Sequence, residues 1–333
     1  MRTSPAISSN ICVPATPFGI LDIGSNSVRF VAYAGADNYF QPIYNEKYFC
    51  CLGESVATYG RIEGHYWQQA MDVFQRFAAT KKRLAVDNMI VVATAAVREA
   101  HNRHDFVNEA SRVLGTDIQV LSGEEEAIFT AKGVRMGFEN VNGLVGDLGG
   151  GSLELVHVVD NEIKEKATLP LGVLTLRTVY AKDREQIRAK VKTALADIDW
   201  LARVKNKPLY MVGGIWRALA LAYMGREVDN MQILHRFTMS PTQIANFIDE
   251  LADMSTKKTK RLKKAPAERR PLLPISAIIL QELLNLSRSN MAVISAYGLR
   301  EGVIYDLLLD NGANPKNTDN TNPQTVEQQA VAS

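Results

Sequence analysis

The chain has 333 residues, 46% hydrophobic and 22% charged, with 38 Lys plus Arg against 36 Asp plus Glu for a net charge of +2. That is the balance of an ordinary globular protein with, at roughly 150 residues per domain, room for two hydrophobic cores; a disordered chain or a small binding module is excluded. A charge this close to neutral also excludes a polycation that binds nucleic acid or membrane over its whole surface, so an anionic partner must be gripped locally.

Residues 1–17 are rich in Pro, Ser and Thr, lack the apolar core of a secretory signal, and read as a disordered tail. No run approaches the roughly 18 apolar residues of a membrane-spanning helix, so the chain is expected in the cytoplasm. Cys12, Cys50 and Cys51 are odd in number and include an adjacent pair, which reads as reduced thiols rather than a disulfide framework or a zinc site. DIGSNSVRFV, from Asp22, reads as a strand, a tight turn and a second strand. GHYWQQAMDVFQRFAATKKRLAV follows, with Met71, Phe74, Phe77 and Ala78 at helical spacing. Apolar runs at Asn88 to Ala93, Asp117 to Leu121, Gly143 to Gly146 and Leu209 to Val212 read as buried strands, each leading into a small-residue turn. Residues 311–333 are polar and read as a second disordered tail.

An internal repeat organises this α/β pattern. DIGSNSVRFV aligns with DLGGGSLELV, from Asp147, with identity at Asp22/Asp147, Gly24/Gly149, Ser27/Ser152 and Val31/Val156. Two similar domains follow, with a boundary near residue 138. Turns of Gly, Ser and Asn present consecutive backbone N–H groups into one concavity, where phosphate oxygens fit. Asp147 and Glu154 flank the second turn. Carboxylates beside a phosphate site repel the substrate unless a cation lies between them, so this pair implies Mg²⁺ that keeps much of its water. In VVATAAVREA, Arg98 sits near the start of a helix and is suited to phosphate. In LSGEEEA, Ser122 and Glu125 form a capping box and Glu124 faces the helix dipole, which leaves Glu126 free to take a proton from water.

Together DIGSNSVR, ATAAVREA, LSGEEEA, GDLGGGSLELV, LPLGVLTL, VGGIWRAL and AYGLREGVIYDLL, in this order over about residues 18–309, resemble the exopolyphosphatase and guanosine pentaphosphate phosphatase (Ppx/GppA) family. The resemblance implies an α/β fold of two duplicated ribonuclease-H-like domains, of the actin, Hsp70 and sugar-kinase type, with an interdomain cleft. The domains are expected at 18–138 and 139–310, the last helix packing back toward the first. It further implies Mg²⁺-dependent hydrolysis of the terminal phosphoanhydride of inorganic polyphosphate, with pppGpp as the alternative substrate; the near-neutral charge adds the expectation of no nucleic-acid or membrane partner, and a homodimer is left open. By motif, Glu126 is the base, and Asp147 and Glu154 hold the cation. Asp22, Ser25, Asn26, Ser27, Arg98, Gly149, Gly150, Gly151 and Ser152 contact phosphate.

Longer members carry C-terminal helical domains, including an HD-type domain. This sequence ends about 20 polar residues after the GLREG helix and reads as a short, two-domain form. ERRPLLP stands where the family often reads RAD, so Glu268 and Arg270 receive no role. The run KKTKRLKKAPAERR offers Lys257, Lys258, Lys260, Arg261, Lys263 and Lys264 as a landing surface for a polyanion, against a solvated loop and helix face. An actin-fold kinase or ATPase and a non-catalytic polyphosphate or alarmone sensor are the rivals. The glutamate in SGEEEA and the full set of acids weigh for hydrolysis.

Overall fold

Apolar and β-branched runs separated by small-residue turns build the first sheet. Strand β1 (Phe18–Ile23) turns back through β2 (Val28–Ala36) and β3 (Tyr39–Tyr48), each antiparallel to the one before. Helices α1 (Leu52–Tyr59) and α2 (Gly64–Arg83) precede β4 (Asn88–Ala93), which lies parallel to β1. Helices α3 (Ala95–Glu99) and α4 (Arg103–Leu114) lead to the short β5 (Ile118–Val120), which completes the order β3-β2-β1-β4-β5. The helical stripe of α2 buries Met71, Phe74 and Phe77 against Phe30, Val91 and Phe106; Ala78 stays at the margin. The computed structural model describes residues 16–36, 39–181, 183–225, 234–252 and 262–313.

After α5 (Gly123–Gly137) the same path is taken again. Strands β6 (Gly143–Leu148), β7 (Leu153–Val159) and β8 (Glu162–Leu169) form an antiparallel meander, followed by α6 (Val173–Tyr180) and α7 (Arg184–Ala196). Strand β9 (Pro208–Val212), α8 (Gly214–Met224), β10 (Thr238–Met239), α9 (Pro241–Ala252), α10 (Leu273–Ser287), β11 (Met291–Ile294) and α11 (Leu299–Ala313) complete it. The second sheet runs β8-β7-β6-β9-β11 with β10 added at the edge, and β9 and β11 are parallel to β6 as β4 and β5 are to β1. The ribonuclease-H-like order is therefore built twice. Strand β6 extends to Leu148, past the expected Gly146, so Asp147 lies within the strand that enters the turn it flanks.

Packing does not follow chain order. Helix α5 comes from the first half, yet Ala127, Ala131 and Val134 pack on Val145, Val156 and Val212 of the second sheet. Helix α11 comes from the second half, yet Leu299, Val303 and Ile304 close over Phe18, Ile20 and Val31 of the first. Burying each such aliphatic side chain is worth about 1.5–3 kcal/mol, so the exchange joins the halves firmly. Helix α11 also runs to Ala313, beyond the expected end at 310; the rest of that tail, residues 1–15 of the other, and Lys257, Lys258, Lys260 and Arg261 lie outside the described residues. Among the described residues no helix is long and apolar enough to cross a membrane.

Candidate active site

The two repeated turns face each other. In the first, the Gly24 N–H donates to the Ser27 carbonyl at 3.1 Å; in the second, the Gly149 N–H donates to the Ser152 carbonyl at 3.0 Å. Their outer carbonyls are taken by helix starts. Ser25 and Asn26 carbonyls accept from Gly53 and Cys51, at 2.7 and 3.1 Å, at the start of α1. Gly150 and Gly151 carbonyls accept from Leu174 and Gly172, at 2.9 and 3.1 Å, at the start of α6. A trans peptide points its N–H opposite to its carbonyl, so the N–H groups of Asn26, Ser27, Gly151 and Ser152 are directed away from those helices and remain available to an anion. The fit between the turns demands glycine. A Cβ on Gly150 would stand 2.9 Å from Ser25 Cβ and 3.4 Å from the Asn26 nitrogen.

The pleat places a row of side chains on one face of each hairpin. In the second half, Asp147 is directly opposite Glu154 across β6 and β7, and Glu154 is opposite Thr168 on β8. Helix α5, carried over by the exchange, sets Glu126 against this row, and Thr130 donates from Oγ1 to Asp147 Oδ2 at 3.1 Å. Gly213, at φ +102°, lets the chain pass close to the other oxygen: a Cβ there would be 2.7 Å from Asp147 Oδ1. Three buried carboxyls are thus gathered. Burial pushes Glu126 up to about 8, against the pull of Arg98 and with a push from Asp147. Burial likewise raises Asp147 to about 6, against the Thr130 hydrogen bond and Arg217, and holds Glu154 well above the carboxylate range, with help from the charges of Glu126 and Asp147.

Glu154 Oε1 is buried and has no hydrogen-bond partner. An orphaned carboxylate oxygen beside a second carboxylate is the donor chemistry of a hard cation, and two such ligands with retained waters suit Mg²⁺. Among the described residues no group of three or more His, Cys, Asp or Glu side chains forms a cage, so water would have to supply the remaining ligands.

Arg98 departs from the reading of it as a helix-start group. Helix α3 is only five residues long and Arg98 occupies its last turn. Its guanidinium reaches the Leu121 carbonyl at 3.0 Å and Glu126 Oε2 at 3.1 Å. Glu126 is accordingly buried and paired, not free. The Ser122 and Glu125 capping box is formed as read.

The first half carries the opposite charge in the same row. Asp22 on β1 is opposite Arg29 on β2, which is opposite Lys47 on β3. Arg300, at the start of α11, stands 3.8 Å from Asp22, and its Nε is buried without a partner. Asp22 itself is raised by burial, which outweighs the lowering by Arg300 and Arg29. Arg217 on α8 donates to the Ser295 carbonyl at 3.2 Å, and Arg269 donates to the Gly214 carbonyl at 2.6 Å. Burial and mutual repulsion lower Arg29 and Arg217 to about 10, and Lys47 to about 7. Sequence reading gave no role to Arg29, Lys47, Arg217 or Arg300, and met Arg269 only as part of the basic run. One signal was there to find: position eight of the repeat, where Arg29 stands opposite Glu154 in the alignment. Of the basic run, Lys263 and Lys264 form a 3₁₀ turn with Leu262.

The family model described as the Ppx/GppA phosphatase family matches residues 30–311. A guanosine-5'-triphosphate,3'-diphosphate pyrophosphatase of Vibrio cholerae is 24% identical over 322 residues, covering 92% of this chain and 61% of the relative. The chain therefore spans less than two thirds of that relative's length. Exopolyphosphatase 1 of Mycobacterium tuberculosis is 27% identical over 300 residues, 86% of each chain. The crystal structure of the Aquifex aeolicus Ppx/GppA family member superposes with a TM-score of 0.74 at 24% identity, covering 90% of this chain and 99% of that one, a likeness of fold.

Proposed function

The chain belongs to the Ppx/GppA phosphatase family, and from that premise we propose that it is an exopolyphosphatase: it hydrolyses the terminal phosphoanhydride of inorganic polyphosphate and releases orthophosphate. The observation that carries the reading is the opposed pair of hairpin rows, one acidic and one basic, with amide-lined turns between them. The acidic row serves one reacting phosphate. The five cations exceed what a single terminal group needs and suit a substrate with phosphates to spare.

In this reading the N–H groups of the two turns hold the non-bridging oxygens of the terminal phosphate, and Arg98 adds a planar donor beside them. Glu126 accepts a proton from a water as its oxygen forms a bond to the terminal phosphorus. The bond from that phosphorus to the bridging oxygen breaks, and the shortened chain leaves as an anion without a general acid. A base titrating near neutrality suits this step. Asp147 and Glu154 would hold Mg²⁺, which when bound neutralises charge on the phosphate oxygens and lowers the cost of gathering these carboxylates. Thr130 and Gly213 fix the rotation of Asp147.

The name of the Vibrio relative supports pppGpp as the second reading. The test compares orthophosphate release from long-chain polyphosphate, tripolyphosphate, pppGpp and ATP at two salt concentrations. A kcat/KM highest for long chains and falling with salt supports the assignment; preference for pppGpp replaces it.

A further inference from the structure

Directly opposed like charges on neighbouring strands destabilise a sheet, yet Arg29 and Lys47 are directly opposed across β2 and β3. Among the described residues no carboxylate at hydrogen-bond distance neutralises either one. Arg29 Nε donates to Asn45 Oδ1 at 2.8 Å, and the Lys47 ammonium lies 4.4 Å from the centre of the Phe49 ring. Arg269, Arg217 and Arg300 add their repulsion. An arrangement that resists itself in this way is built for an anion that arrives from outside.

Its place relative to the reacting centre is set by the sheet. Asp22, Arg29 and Lys47 form one cross-strand row, and strands are about 4.8 Å apart, so Lys47 stands about 10 Å from Asp22 at the backbone. Lys47 therefore stands two strands out from β1, on the half that carries no catalytic carboxylate row.

Resting on the exopolyphosphatase reading, we infer that Lys47, with Arg29 beside it, forms a separate anion subsite that holds a phosphate of the inorganic chain several positions removed from the scissile bond. It makes Lys47 a specificity-determining residue for chain length. Remote contacts of this kind are spent on positioning the terminus, and a substrate too short to reach them forgoes the gain.

The experiment measures kcat/KM for long-chain polyphosphate and for tripolyphosphate in wild type, Lys47→Gln and Lys47→Arg, with thermal melts to verify folding. The long-to-short preference is expected to fall about tenfold in Lys47→Gln, the effect residing in KM, and to return in Lys47→Arg; tenfold corresponds to 1.4 kcal/mol. A preference that is unchanged in Lys47→Gln overturns the inference. So does an equal loss on both substrates, or a loss confined to pppGpp. Should wild type release phosphate from neither inorganic substrate, the reading of the reacting centre fails, and Lys47 is then decided by binding alone. In a Glu126→Gln background, Lys47→Gln weakening long-chain binding about tenfold sustains the subsite, and undiminished binding removes it.

Discussion

Replacing Glu126 by Gln should both disable and stabilise the protein, and the pH dependence of the second effect tests the first. Burial moves this carboxyl from 4.5 to about 8. At 1.36 kcal/mol per pH unit, ionising it in the folded state costs on the order of 5 kcal/mol as a ceiling. Part of that cost is shared with the charge of Asp147, so a net gain of about 1–2 kcal/mol is expected from the neutral isostere. The sign follows from linkage. Below pH 4.5 the side chain is protonated both folded and unfolded, and the two proteins are equally stable. As pH rises the unfolded chain ionises first, so wild type loses ground until about pH 8, after which the gap is constant. Thermal melts in EDTA should show no difference near pH 4.5 and a variant more stable by roughly 2–6 °C near pH 8.5. Phosphate release should fall by about 10²- to 10⁴-fold, the usual worth of a general base. A stability gap that is flat across pH, or activity within about threefold of wild type, refutes the placement of Glu126 as a buried, functional base.

Three further outcomes follow from the same geometry. Asp147→Asn and Glu154→Gln should each raise the Mg²⁺ concentration for half-maximal rate as well as lower kcat, and EDTA should abolish turnover by wild type; full activity in chelator removes the cation from the mechanism. Thr130→Val deletes the hydrogen bond to Asp147 Oδ2 and should weaken Mn²⁺ binding, followed by electron paramagnetic resonance, by about tenfold or more, since one such bond to a charged group is worth about 1.5 kcal/mol or more; Thr130→Ser should restore it, and failure to do so would assign the loss to packing. Arg98→Met should reduce kcat/KM on every phosphate substrate alike, because its partner is the centre itself; an effect limited to long chains would place Arg98 elsewhere.

The duplication was legible because its marks are local. Asp22 and Asp147, the glycines and the serines recur within ten positions, and the order of strands that grows from them was implied at the same stage. The Ser122 capping box was legible for the same reason, being closed within one turn of helix. The cation bank was not. Arg29, Lys47, Arg217, Arg269 and Arg300 sit on five different elements; the β2–β3 register and the return of α11 to the first sheet bring Arg29, Lys47 and Arg300 together, while Arg217 and Arg269 are held at Ser295 and Gly214 of the second half. Arg269 illustrates the difficulty: attention to its neighbours Glu268 and Arg270 found nothing, while Arg269 itself lies against Gly214. The buried state of Glu126 was hidden likewise, since three consecutive glutamates look solvated until α5 is laid on the second sheet.

The exchange of α5 and α11 also governs how the chain must fold. The first sheet is translated early, but its face at Phe18, Ile20 and Val31 has no cover until Leu299, Val303 and Ile304 emerge near the other end of the sequence. Neither half can complete its interior from its own residues, so closing contacts of very long sequence separation come last and folding should be slow for a chain with this much helix. Until then an apolar face stands open to chaperones and to other copies. The native protein should accordingly melt in one transition, and a fragment ending before α11 should aggregate where the whole chain does not. The crossing that delivers the glutamate to its acids thereby ties the last helix to the first sheet and the stability of one half to that of the other.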